Sequence, residues 1–233
     1  MKRAFKSLSF GGLRLLSNVR TGAFSNFFTT LGYTIKSEHL YNHCGAPEFT
    51  AGDRNKLHEY LSTEIVKPAE EIVFLEFGVL FGETFLIWVK NNQNPGSRFE
   101  GFDTFEGLPE DWGNIKKGSF SAGGKLPEAN DSRARFHVGL IQDTLPVYAR
   151  ELDKTRRKVI HIDVDLYNAS LITLILLQPY LQKGDIIIFD DFFTLTKSDH
   201  EYKAFLDFLS LYKISYKPVS KHRSGQFVIE VLG

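Results

Sequence analysis

A single cysteine, Cys44, in 233 residues excludes an internal disulfide and suits a reducing compartment, so a cytoplasmic location is expected. No apolar run approaches the length needed to cross a bilayer, and no transmembrane segment is expected. Net charge is zero, so composition does not point to a nucleic-acid partner. There is no internal repeat and no low-complexity tract. Acid is missing from one region only. The first 37 residues hold Lys2, Arg3, Lys6, Arg14, Arg20 and Lys36 and no Asp or Glu, which leaves the remainder with six acids in excess.

What is present suits a soluble globular chain. At 42% hydrophobic and 24% charged, it can build one core plus a small appendage. Residues 1–20, MKRAFKSLSFGGLRLLSNVR, are basic and partly amphipathic, with Phe5, Leu8, Leu15, Leu16 and Val19 near helical spacing. Gly11 and Gly12 interrupt that helix, and the apolar stretches are too short for a secretory signal. An organelle presequence and a membrane-surface helix are open alternatives. The preferred reading is an arm that packs on the domain, on a homodimer partner or at the mouth of a site. Phe24, Phe27, Phe28 and Tyr33 add apolar surface that calls for burial. Residues 1–50 thus read as an N-terminal arm or lid, and 51–233 as the main domain.

From Thr50 a helix is expected, capped by Thr50 or Asp53, with Leu57, Tyr60, Leu61 and Ile65 on one face and Pro68 beyond its end. Strands and helices then alternate. Strand Ile72 to Phe77 leads into helix Glu83 to Lys90, then strand Arg98 to Phe102. Residues 104–131 form a Gly-, Pro- and Lys-rich stretch too long for a simple connection, and it reads as a lid or binding loop. Strand Arg135 to Val138 and a helix from Asp143 to about Leu152 follow. Strands Val159 to Ile162 and Ile186 to Phe189 flank an apolar helix. A helix from Ser198 to Tyr212 precedes two final strands, Ile214 to Val219 and Gln226 to Leu232, joined by a turn short enough for a hairpin. The pattern predicts an α/β, doubly wound, mostly parallel seven-stranded sheet with a C-terminal antiparallel hairpin and an N-terminal extension.

Two of those strands end in acid. Asp163 and Asp165 follow VIHI, and Asp190 and Asp191 follow IIIF. Ligands of open parallel sheets sit outside the carboxyl ends of the strands, so these carboxylates face that edge. Clustered like charges repel unless a counter-charge intervenes. Any one of them can instead cap a helix or face water.

At the first strand-to-helix turn, VFLEFGVLFGETF, stand Gly78 and Gly82, and Asp103 ends the next strand 21 residues after Gly82. An acid there suits a ribose diol in a dinucleotide or an S-adenosylmethionine (SAM) site. A dinucleotide fingerprint needs a glycine where this chain has Leu80, whereas SAM has no phosphate and tolerates a bulkier loop. A plain tight turn is the alternative.

The stretches GFDTFEGLPEDW, KGSFSAGGKLP, VGLIQDTLP, HIDVDLYNAS and GDIIIFDDF resemble the macrocin O-methyltransferase family of class I SAM-dependent enzymes, over roughly residues 70–195. The resemblance implies a Rossmann-like methyltransferase fold, SAM and Mg²⁺ as cofactors, and a small-molecule hydroxyl acceptor such as a sugar or glycoside. Carried over by position, Glu76, Gly78, Gly82, Glu83, Thr84 and Asp103 fall in the cofactor site, and Asp163, Asp190 and Asp191 on the metal-binding acids. Asp143 matches a family motif without an assigned role. Asn168, Ala169 and Ser170 depart from the Ser or Thr that family members more often carry after DLY.

Methyl transfer to a hydroxyl needs a positioned oxygen and a base, and Asp163 is the expected base. Asp165 is expected to serve the loop or cap the next helix. Of the histidines, His161 shares the strand face of Asp163 but sits deeper and reads as a core residue, while His200 and His222 read as surface residues. Two other functions stay open. One is a non-methylating, hydroxylase-like metal enzyme on the same scaffold, which would need histidine beside a carboxylate, and none adjoins Asp190 or Asp191 in sequence. The other is a membrane-associated binding protein with a vestigial pocket.

Overall fold

Residues 21–50, 52–193 and 200–233 are described in a computed structural model of the chain. The basic arm at 1–20 and the expected helix start at Ser198 lie outside them. The elements in order are α1 (Thr21–His43), β1 (Glu48–Phe49), α2 (Arg54–Tyr60, continued by a π-helical turn over Leu61–Ile65), β2 (Ile72–Phe77), α3 (Glu83–Asn91), β3 (Arg98–Asp103), β4 (Ala134–Val138), α4 (Ile141–Tyr148), β5 (Arg157–Ile162), α5 (Tyr167–Leu177), β6 (Ile186–Phe189), α6 (Glu201–Leu211), β7 (Tyr216–His222) and β8 (Phe227–Val231). Their sheet order is β1-β7-β8-β6-β5-β2-β3-β4. β4, β3, β2, β5 and β6 run parallel, while β8 is antiparallel to both β6 and β7.

β2 and β6 are buried at every residue, because helices cover both faces of a parallel sheet. That is why their sequences are continuous apolar runs rather than alternating ones. One side of the sheet buries Leu75, Phe77, Phe102 and Ile160. The other buries Phe74, Trp88, Phe99 and Val159, with Phe74 stacked on Trp88 at 4.9 Å between ring centroids.

The fold differs from the sequence expectation in a few places. Among the described residues there are eight strands rather than seven: β1, two residues long, pairs with the far end of β7 and is too short to leave a pattern. α4 opens at Ile141 and ends at Tyr148, after which Glu151 and Leu152 close i to i+3 turns on Tyr148 and Ala149 instead of continuing the helix. Asp53, not Thr50, caps α2, its carboxylate accepting from the Asn55 and Lys56 amides. α1 lies on the domain through Tyr33 against Tyr202 and Tyr41 against Phe193. Phe27, Phe28 and Ile35 stay exposed, against the expectation that this aromatic surface is buried.

The strand ends that matter approach each other closely. The Gly78 amide donates to Phe102 O, and the Asp163 amide donates to Phe77 O, so the exits of β2, β3 and β5 are tied together. Gly78 has φ of +83°, and a Cβ there would lie 1.7 Å from the Asp163 carbonyl oxygen. Only glycine fits. Gly78→Ala should destabilise the fold by about 3 kcal/mol and displace Asp163. Thermal and urea melts check this, and a variant as stable as the parent would contradict the close approach.

Candidate active site

A cavity of about 880 Å³ opens at the carboxyl ends of β2, β3, β5 and β6. Gly78, Val79, Leu80 and Asp103 form one wall, and Asp163, Asp165, Asp190 and Asp191 form another. The 104–131 stretch roofs it with Leu108, Pro109, Trp112, Ile115 and Phe120. That stretch is ordered by its own contacts. Phe105 is buried, the Leu108 amide donates to Ser119 O, the Gly118 amide donates to Leu108 O, and Trp112 pairs with Ile115 across a short bridge.

Asp103 joins the Gly78 wall to the roof. Its Oδ2 accepts the amides of Val79 and Leu80 at 2.7 Å each, and its Oδ1 accepts the Phe105 amide at 2.8 Å. Three amides fix the carboxylate and leave Oδ1 one acceptor site facing the cavity.

β5 and β6 are neighbours in register, Ile162 beside Phe189, so the residues that follow, Asp163 and Asp190, emerge side by side. The expected counter-charge between them is Arg54, the first residue of α2. Its Nη1 donates to Asp190 Oδ2 at 2.8 Å, and its Nη2 lies 3.2 Å from Asp163 Oδ2. Gln226 Nε2 donates to the other Asp190 oxygen at 2.6 Å. Burial alone would raise the Asp190 pKa, but His161, Arg54 and Gln226 together hold it below the usual carboxylate range. Burial and the neighbouring Asp190 charge push Asp163 well above that range. Behind Asp191, Glu201 accepts the Asp191 amide at 3.0 Å, and burial with the Asp191 charge raises its pKa too.

Deeper in the sheet, His161 Nδ1 donates to Glu76 Oε1 at 2.8 Å, and its Nε2 lies 3.8 Å from Asp190 Oδ1. Burial opposes the imidazolium, yet Asp190 and Glu76 raise its pKa to about 9. Trp88 Nε1 donates to His58 Nδ1 at 3.0 Å. His58, His161 and Asp190 bring donor atoms within 4.8 Å of one another, but both imidazoles are fully buried and neither lines the cavity. The Trp88 bond occupies His58 Nδ1 and the Glu76 bond occupies His161 Nδ1, and burial lowers the His58 pKa. The Asp163 and Asp190 oxygens that meet Arg54 do suit a hard cation, being carboxylates that already converge on one positive group.

Of the residues expected at the site, Gly78, Asp103, Asp163, Asp190 and Asp191 line one cavity. Glu76, Glu83, Thr84 and Gly82 do not. Glu76 is fully buried behind the wall, accepting from the Thr84 hydroxyl and from His161. Glu83 accepts from Asn55 Nδ2 at 3.3 Å, outside the cavity. Gly82 is covered by Pro127 of the roof stretch, which a Cβ would meet at 2.7 Å. Asp165 does not cap α5: the N-cap is Leu166, and Asp165, at φ of +59°, lines the cavity. His200 and His222 are buried rather than on the surface, His200 capping α6 at the Tyr202 amide and His222 reaching Ser224. Histidine does stand beside Asp190, although none adjoins it in sequence. Arg54, Glu201, Gln226 and His58 went unnoticed in the sequence. The one signal for Arg54 was the demand for a counter-charge, and its contact with Asp190 spans 136 residues.

A family described as a methyltransferase domain matches residues 75–192. Among solved structures, the chain is similar to CalS11, a calicheamicin methyltransferase, at 20% identity over 94% of this chain and 89% of that one, with a TM-score of 0.54. The O-methyltransferase NovP aligns at 16% identity over 90% of this chain and 100% of that one, TM-score 0.58. An O-methyltransferase from Bacillus cereus in complex with SAH aligns at 17% identity over 94% and 96%, TM-score 0.55. At these identities the likeness is one of fold. No curated protein matches in sequence.

The buried imidazolium makes stability depend on pH. His161 titrates near 6.5 when unfolded and near 9 when folded, so its contribution is fully present below about pH 6.5 and is lost as pH rises through about 9. The thermal midpoint should fall between about pH 7 and about pH 9, and His161→Gln should flatten that fall. An equally steep fall in the variant would assign it to another group.

Proposed function

Because this chain belongs to the methyltransferase-domain family that its residues 75–192 match, we propose that it is a SAM- and Mg²⁺-dependent O-methyltransferase acting on a hydroxyl of a sugar or glycosylated small molecule. The observation that carries this reading is the single cavity that holds Gly78 and Asp103 on one wall and Asp163, Asp190 and Asp191 on the other. A methyl donor and a hydroxyl acceptor need such a shared chamber. The B. cereus relative binds SAH, and CalS11 is described as a TDP-rhamnose 3′-O-methyltransferase, which supports SAM and a sugar here.

When bound, SAM supplies an electrophilic methyl on a sulfonium and magnesium supplies positive charge for an oxygen losing its proton. The chain's residues do the rest. Asp103, fixed by three amides, accepts the ribose hydroxyls. Asp163 and Asp190, whose oxygens already converge on one positive group, hold the cation, with Asp191 on the same wall. The roof residues Leu108, Trp112 and Phe120 exclude water and form an apolar face for the acceptor ring. Asp163 takes the hydroxyl proton as the oxygen bonds to the methyl carbon and the carbon–sulfur bond breaks. Asp165 is a second reading for the base, favoured by its place on the cavity wall and its left-handed backbone.

A labelled-methyl transfer screen over candidate sugars, with and without EDTA, tests the reading. No transfer to any hydroxyl acceptor, together with no SAM binding by calorimetry, would sink it. Asp163→Asn should lower kcat by about 10²- to 10⁴-fold while SAM affinity stays within about threefold. If Asp165→Asn causes that loss and Asp163→Asn does not, the base is Asp165. Asp191→Ala should abolish the EDTA-sensitive turnover with SAM affinity nearly unchanged, and an equal loss of both would make Asp191 structural.

A further inference from the structure

Arg54 occupies an odd position for an arginine. It is the first residue of α2, where the helix dipole disfavours positive charge and the helix itself offers no acceptor to a guanidinium. What holds it is long-range: Asp190 Oδ2 and Asp163 Oδ2, each taken by a different guanidinium nitrogen. It is the one arginine or lysine among the described residues lining the cavity, against Asp103, Glu110, Asp163, Asp165, Asp190 and Asp191.

At Asp190, the oxygen that Arg54 takes is the outward one. Asp190 Oδ1 is turned inward to Gln226 and His161, which leaves Oδ2 for whatever cation the cavity holds. A divalent ion bound between Asp163 and Asp190 needs that Asp190 oxygen, and two cations cannot share it at contact distance. The Arg54 side chain is 40% exposed, so leaving the aspartates returns it to solvent or to the cavity without unburying a core.

We infer that Arg54 is a resident counter-ion for Asp163 and Asp190 that a divalent cation displaces, so that this arginine sets the affinity of the metal site and enters the acceptor chamber only in the metal-bound form. The inference rests on reading the aspartates as the cation site. Without metal, the guanidinium keeps the two strand ends from repelling each other. With metal, it is released beside Asp165 and Glu110, where it can meet the acceptor.

Titration of Mn²⁺ alone into the full chain, read by electron paramagnetic resonance, tests this in wild type, Arg54→Gln, Arg54→Lys and Asp190→Asn. Arg54→Gln should bind Mn²⁺ at least about tenfold more tightly than wild type, Arg54→Lys should fall between them, and Asp190→Asn should lose the site. Thermal melts without metal should place Arg54→Gln below wild type, with added Mn²⁺ restoring it. A readout on the unaltered protein guards against misfolding of the variants: phenylglyoxal labelling of Arg54, followed by mass spectrometry, should rise when Mn²⁺ is added. Wild type that binds Mn²⁺ with Arg54→Gln no tighter and Arg54 labelling unchanged would overturn the inference and leave the metal reading standing. No binding by either protein would remove both, while SAM calorimetry on the same samples reports separately on methyl transfer.

Discussion

Two parallel strands that end side by side in aspartate bring negative charge to one buried edge, and most of the site follows from how that charge is balanced. Asp163 and Asp190 emerge next to each other because β5 and β6 are in register up to Ile162 and Phe189. Left alone, the pair would shed its charge by taking up protons. Three groups prevent this unevenly. The Arg54 guanidinium bridges both carboxylates, the His161 imidazolium acts on both but pairs with Asp190, and Gln226 donates to Asp190 only. Asp190 is thereby held ionised, and Asp163 is left as the group whose pKa rises. Two residues of one type, a strand apart, acquire opposite tendencies from their surroundings.

The imbalance reaches into the core. His161 can be positive at full burial only because Glu76 lies on its other side, and Glu76 in turn is held by the Thr84 hydroxyl at the start of α3. Glu76 and Thr84 therefore belong to the support of the acid cluster, behind the wall that carries Gly78. The buried ionic chain is costly to desolvate and is tolerated because each member has a partner. Removal of one member would leave the next as an uncompensated charge.

Most of the fold could be read from the sequence because its signals are local. Runs such as IVFLEF and IIIF mark strands covered on both faces, glycine marks the turn after β2, and the final pair of strands is close enough in sequence to form a hairpin. The acids at strand ends were legible for the same reason, since a parallel sheet aims its carboxyl ends at one edge. What could not be read depends on contacts between distant segments. Arg54 meets Asp190 across 136 residues and His161 meets Glu76 across 85, and nothing in either local sequence names the partner. From sequence, Asp165 is expected in the loop or as a helix cap; it lies in the loop before α5, with a left-handed backbone, and lines the cavity. The exposure of Phe27 and Phe28 was likewise invisible, because helical spacing does not say which face meets the domain.

The roof and the glycine turn are coupled through a few contacts that tie both to the acid edge. Asp103 accepts amides from Val79 and Leu80 on the turn and from Phe105 at the start of the roof. Pro127, near the other end of the roof, covers Gly82. Gly78, beneath the turn, sits against the Asp163 carbonyl. Displacing the roof would therefore disturb the wall that carries Asp103, and displacing Gly78 would disturb the acid edge. Both occupants proposed for the chamber are cations, a sulfonium and a divalent ion, and its lining holds many carboxylates and one guanidinium. A cavity charged in this way favours positive ligands before any specific contact is made, because the low-dielectric walls concentrate the field of the aspartates within it.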